Sequence, residues 1–218
     1  MIKRFGGTAT GESEGLQRTR EKHDSGGHVW FDSTGLSWWV LDAYGARQAG
    51  HACVAAALYN AIGLLAPSIR RIELDGKVRA IHLAPTGWGR LPPAEIRRKW
   101  SEEVDRTRIA DRWLRNTATV ADSMRFRERS IPTLPSMLRL KLTQTMGYRG
   151  IGHLDQGWET LELPEISEAE IPVARRIAKL SRRRIRGAVS CAGLDDRDAI
   201  SLWGTLITRQ EAIRRAIA

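Results

Sequence analysis

The chain is poor in cysteine, has no long apolar run and carries too few acids for its bases. Cys53 and Cys191 are the only cysteines among 218 residues. Two thiols are too few for a disulfide framework or a four-cysteine zinc site. That scarcity fits a reducing interior and leads us to expect a cytoplasmic protein. The longest apolar stretch, residues 52–66, is interrupted by Tyr59, Asn60 and Gly63. A membrane span needs about 20 apolar residues, so no membrane partner is expected. Residues 1–7 place no apolar run behind their two positive charges, so no secretory leader is expected either.

Ligand motifs are also scarce. The segment GTATGESEG lacks the lysine of a phosphate-binding loop. His51 and Cys53 could face a metal, but no second pair has ligand spacing. Asp195, Asp196 and Asp198 could hold Mg²⁺, although an aspartate at the start of a helix more simply caps it. No metal and no cofactor are therefore expected.

What the chain does have is positive charge. Lys and Arg number 35 against 25 Asp and Glu, a net charge of +10. Residues 1–60 hold six of each sign, so residues 61–218 carry the whole excess. Of the 35 bases, 29 are Arg. A GC-rich coding sequence would favour Arg over Lys, but it does not create a net charge of +10. Arg pairs bidentately with phosphate and stacks on bases, which Lys cannot do.

Periodicity and turn residues predict an α+β protein. Residues 1–27 are Gly-rich and polar and read as a flexible or irregular arm. Residues 28–41, HVWFDSTGLSWWVL, read as an aromatic N-terminal hairpin about Ser33-Thr34-Gly35. A helix containing Cys53 follows. Residues 70–83 form a second hairpin with Asp75-Gly76 at its turn. Pro92-Pro93 opens a charged helical region over roughly residues 93–128. Residues 130–163 look irregular or extended, and two helical stretches close the chain at about 172–186 and 195–217. The reading is a single α+β domain over 28–218, with a sub-boundary near 130–165 before the C-terminal helices. In the last helix, Thr208 and Glu211 have capping-box spacing, which suggests a restart after Gly204.

The segment PVARRIAKLSRRRIR, residues 172–186, carries the sharpest signal. On one helical wheel Val173, Ile177 and Leu180 cluster on one side. Arg175, Arg176, Lys179, Arg182, Arg183 and Arg186 share an arc of about 120°. Arg184 alone falls among the apolar residues. A basic amphipathic helix with no acid between residues 171 and 187 suits a polyanion better than a merely solvated face. Residues 125–149 are a second basic stretch, with six cations and one acid, Glu128. Arg125, Arg127, Arg139, Lys141 and Arg149 extend the cationic track there. Phe126 and Tyr148 beside these arginines are candidates to stack on unpaired bases. Both aromatics would equally serve a core.

One stretch points elsewhere. QAGHACVAAALYNAIG, residues 48–63, places Gln48 five residues before Cys53, which would open a buried helix. A thiol in a first helical turn has a lowered pKa. The pattern resembles the start of papain-like and bacteriocin-processing-type cysteine peptidases. That resemblance implies Cys53 as nucleophile, Gln48 as oxyanion donor and His153 as base. It covers about sixteen residues, and Val54 stands where the pattern has Gly or Trp. The plainer reading is a small apolar core residue. Separately, GYRGIGHLDQG, residues 147–157, loosely resembles the Gly-rich loop of ferredoxin-like RNA-binding subunits of CRISPR ribonucleoproteins. That resemblance implies guide-RNA binding or processing with His153 as an acid/base.

The sequence therefore predicts a nucleic-acid-binding protein, more a binder than an enzyme and part of a nucleoprotein complex with other protein subunits. RNA or single-stranded DNA is preferred over duplex DNA. A cysteine hydrolase using Cys53 and His153 is the competing class.

Overall fold

The computed structural model describes residues 17–22, 28–34, 37–41, 46–64, 66, 69–74, 76–83, 88–89, 105–106, 108–114, 124–127, 148–149 and 165–218. The architecture is α+β. Five antiparallel strands come first: β1 (Gln17–Lys22), β2 (His28–Phe31), β3 (Ser37–Leu41), β4 (Ile69–Leu74) and β5 (Lys77–Leu83). They form one sheet in the order β1-β2-β3-β5-β4. Helix α1 (Ala46–Ala61) joins β3 to β4.

Both expected hairpins are present. β2 and β3 pair from His28↔Val40 to Phe31↔Ser37. Asp32 ties the connection together, accepting from the Thr34 backbone N–H and hydroxyl and from Trp38 Nε1. β4 and β5 pair out to Leu74↔Lys77, and Gly76 takes φ 68° at the turn, which glycine adopts without a Cβ penalty.

Of the N-terminal arm expected over residues 1–27, the described residues are 17–22. Residues 17–22 are strand β1, with Gln17 opposite Phe31 and Arg18 opposite Trp30. Strand QRTREK has no apolar residue to announce it. A polar, charged strand at a sheet edge is formed by its ladder to the neighbour, and its charges discourage further pairing.

The two sides of this sheet differ. Ile69, Val78 and Ala80 pack with Ala49 of α1. The alternate positions Ile72, Leu74, Ile81, Val40, Trp38 and Trp30 form a second apolar cluster. The Arg70 guanidinium lies over the Trp38 ring, 4.4 Å from its centroid.

Helix α1 is rich in Ala, the best helix former, with seven among its 16 residues, and is buried almost all round because it lies between the sheet and the C-terminal helices. It ends in a Schellman motif. Gly63 takes φ 73°, its N–H reaches Asn60 O, and Leu64 N–H reaches Tyr59 O. The Asn60 side chain then pins the following turn by bonding Ala56 O and both backbone groups of Ala66.

Three helices close the chain: α2 (Ile171–Lys179), α3 (Arg182–Ser190) and α4 (Asp196–Ala216). One core joins them to α1 and to the helical segment 108–114. Trp113 is its largest member and is fully buried, with Nε1 donating to Leu206 O. Arg209 donates to Trp113 O, and Tyr59 OH donates to Asp111 Oδ1. The buried Glu170 pairs with Arg112 and closes a capping box with Ser167.

Three expectations are corrected. The predicted single helix 172–186 is two helices. Within the predicted helical region 93–128, residues 124–127 form a strand, β7 (Met124–Arg127), in a three-stranded sheet with β6 (Trp88–Gly89) and β8 (Tyr148–Arg149). Met-Arg-Phe-Arg alternates apolar and charged with the period of a strand. Finally, α4 runs without a restart: Thr208 Oγ1 donates to Gly204 O one turn back instead of capping a new helix.

Candidate nucleic-acid interface

The break between α2 and α3 shapes the cationic surface. Leu180 leaves the helix with ψ 129° and buries its side chain. Ser181 is extended, and its hydroxyl accepts from Arg184 N–H as the N-cap of α3. Serine is among the strongest N-cap residues, and here it restarts the helix two residues after Lys179.

Helix α4 holds this break from behind. The fully buried Gln210 Nε2 donates to both Ile177 O and Leu180 O at 2.7 Å. Arg214 donates to Ala178 O at 2.6 Å. The orphan carbonyls of the last turn of α2 are thus satisfied by side chains from α4.

The six cations placed on one arc separate accordingly. Arg175 and Lys179 are exposed on α2, and Arg182, Arg183 and Arg186 are exposed on α3. Arg176 is half-buried. Its guanidinium lies over Gly63, where a β-carbon would come within 2.7 Å of Nη1. A cation at the C-terminal carbonyls of α1 is favourable, so Arg176 serves the fold. Arg184, assigned to the apolar side by an unbroken wheel, is exposed. Ser181 ahead of three arginines is the signal that would have placed it correctly.

Two further exposed arginines, Arg214 and Arg215, come from the last turn of α4. Neither α2 nor α3 contains an acidic residue, and Glu211 is the only one in α4 beyond Asp198. Glu211 accepts from Arg182 at 3.2 Å and from Arg214 at 2.6 Å. Its carboxyl is held below the usual range, first by the Arg214 bond and then by the Arg182 bond.

The other basic stretch lies partly on the small sheet. Arg125 stands opposite Tyr148 and Met124 opposite Arg149. Arg127 stands opposite Trp88 and Phe126 opposite Gly89. Sequence reasoning did not associate Trp88 with these arginines. Arg139, Lys141 and His153 lie outside the described residues.

Cys53 does not open its helix. It is the eighth residue of α1, and the dipole effect is confined to the first turn. Burial pushes its thiol up to about 11, against a smaller lowering by Arg71. Cys53 packs against the main core. The buried His51 lies two residues away on the same helix, a spacing at which side chains do not face one another. Among the described residues, no group of three or more His, Cys, Asp or Glu could hold a metal ion. Asp195 caps α4 by accepting from Asp198 N–H, and Asp198 pairs with Arg47. No described helix is long and apolar enough to cross a membrane.

No family model and no curated protein matches the chain. Among solved structures it is similar to the Helicobacter pylori proinflammatory kinase CtkA, with a TM-score of 0.64 and 9% identity. The match covers 93% of this chain and 95% of that one. At that identity the likeness is one of fold.

Proposed function

We propose that this chain binds RNA or another single-stranded nucleic acid through the cationic surface of α2, α3 and the end of α4, as part of a nucleoprotein assembly. The observation that carries the reading is the start of α3. Its first turn is Arg182-Arg183-Arg184, where the helix dipole disfavours cations. The same chain starts α4 with Asp196 and Asp198, and the short 3-10 turn before α2 with Glu168 and Glu170. Stability alone would favour acids at all three. Three arginines and a helix N-terminus together suit an anion. The preference for unpaired strands rests on the second basic stretch, where Tyr148 and Trp88 stand in register with Arg125 and Arg127.

The kinase-like fold does not lead us to propose phosphoryl transfer. Protein kinases pair a lysine on the third strand with a glutamate on the helix that follows. Here β3 is SWWVL and α1 contains no acidic residue. Nothing in the placement of Cys53 favours the hydrolase reading.

The test is binding of labelled single-stranded RNA, single-stranded DNA and duplex DNA across a salt series. About five phosphates neutralised on a single strand would give a log–log salt slope near −3 to −4. Arg175→Ala, Arg183→Ala and Arg186→Ala together are expected to flatten that slope by about 2. Absence of binding to all three nucleic acids at low salt would overturn the proposal.

A further inference from the structure

We infer that Glu211 is an internal counter-anion for the cationic surface, occupying Arg182 until a phosphate replaces it and so setting the affinity of that surface. The inference rests on the nucleic-acid reading and adds its regulation.

The two arginines that share Glu211 are bound differently. Arg214 is tied at both ends, to Glu211 through Nη1 and to Ala178 O through Nη2. It belongs to the joint between α4 and α2. Arg182 touches the carboxylate through Nη2 alone, at 3.2 Å, and its side chain is 66% exposed. A guanidinium has five N–H donors in a planar fork. One long, single bond leaves most of them open. A phosphate can take the fork bidentately, which a carboxylate oxygen already shared with Arg214 does not.

Exchange on Arg182 therefore leaves the Arg214 joint intact. Glu211 stays bonded to Arg214, and Arg182 is handed to the phosphate beside Arg183. No other acid of α2, α3 or the last five turns of α4 can play this part, because none is present there.

The experiment compares Glu211→Gln with the wild type in the full chain, using labelled oligouridylate and oligodeoxythymidylate at several salt concentrations. The glutamine oxygen can still accept from Arg214, so the fold should be kept, with only a small drop in Tm from the lost surface ion pairs. Binding is expected to tighten about three- to tenfold at low salt, with a slope steeper by about 0.7 for one more phosphate neutralised. Arg182→Ala added to Glu211→Gln should abolish the gain, and Glu211→Asp, which keeps the charge, should bind as wild type does. Unchanged or weaker binding by a normally folded Glu211→Gln protein overturns the inference while leaving the interface standing. A Glu211→Gln chain that unfolds also overturns it, because the carboxylate would then be a fold element. A wild type that binds neither oligonucleotide overturns the underlying reading itself.

Discussion

Gln210 offers a direct test of how the cationic surface is held. Its side chain is fully buried on α4, and its Nε2 donates to Ile177 O and Leu180 O where α2 stops. Consider Gln210→Leu, which keeps the volume and removes the donor. Ile177 O still accepts from Leu180 N–H. Leu180 O loses its donor and becomes a buried orphan, worth about 1–3 kcal/mol. Part of that is recovered, because Gln210 Oε1 has no hydrogen-bond partner in the native fold and disappears with the substitution. The net loss should be about 1–2 kcal/mol, lowering Tm by about 2–8 °C at this chain length. Gln210→Glu sharpens the test. An ionised carboxylate would face two carbonyls and could donate to neither, so burial raises its folded pKa above the unfolded value. A group raised in this way adds stability below its unfolded pKa and loses it as pH rises through the folded one. The Glu variant should therefore approach the wild type near pH 4 and fall behind it toward pH 8. Thermal melts of all three proteins across that range read both effects. A Gln210→Leu protein that melts with the wild type, or a Glu variant with no extra pH dependence, would refute the account of the α2–α3 break.

Two other substitutions probe the packing that supports the site. At Gly50, a β-carbon would stand 2.4 Å from Leu194 Cδ2 and 3.2 Å from Ala192 O. Gly50→Ala should lose about 1–3 kcal/mol to overpacking against about 1 kcal/mol of helix propensity gained, so urea unfolding should show a lower midpoint. Burial and then Arg47 lower the pKa of His51, against an opposing pull from Asp198. The unfolded chain then binds the proton more readily, so stability is full above about pH 6.5 and falls as pH drops toward the folded value. His51→Gln should lack that component, and the wild type should lose ground to it below about pH 6.5; a constant difference between pH 8 and pH 5 would show that His51 is not the titrating group.

Both hairpins were legible because their signals are local. Asp75-Gly76 sits at a two-residue turn, and aromatic runs flank Ser33-Thr34-Gly35. The α1 helix was legible from composition but its start was not, and that displaced Cys53 by two turns. No large apolar residue marks the start of α1, since residues 46–48 are Ala-Arg-Gln. The basic surface was legible as charge and misread as geometry. A wheel assumes one unbroken period, and Ser181 resets the phase for every residue after it. Arg176 shows the other limit. Its charge is visible in the sequence, but its engagement with the end of α1 depends on an approach across more than a hundred residues. Local pattern cannot reveal which of several neighbouring arginines is used by the fold.

The start of α3 turns that limit into a separable prediction. Ser167 and Glu170 form a capping box, with Glu170 accepting from both the Ser167 N–H and its hydroxyl. Ser181 and Arg184 stand at the same spacing at the start of α3, with a cation where the box needs a carboxylate. Arg184→Glu would complete the second box and reverse an unfavourable charge in the dipole, worth about 1–2 kcal/mol in all. Tm should rise by about 2–8 °C. Affinity for single-stranded RNA should fall over the same substitution, with the salt slope shallower by about 0.7 for each phosphate no longer neutralised. Stability and binding would then move in opposite directions at one residue, as expected where function opposes the fold's own preference. A stabilised variant that binds as the wild type does would remove Arg184 from the interface. A destabilised variant would give Arg184 a role in the fold and remove the argument that its charge is there for a ligand.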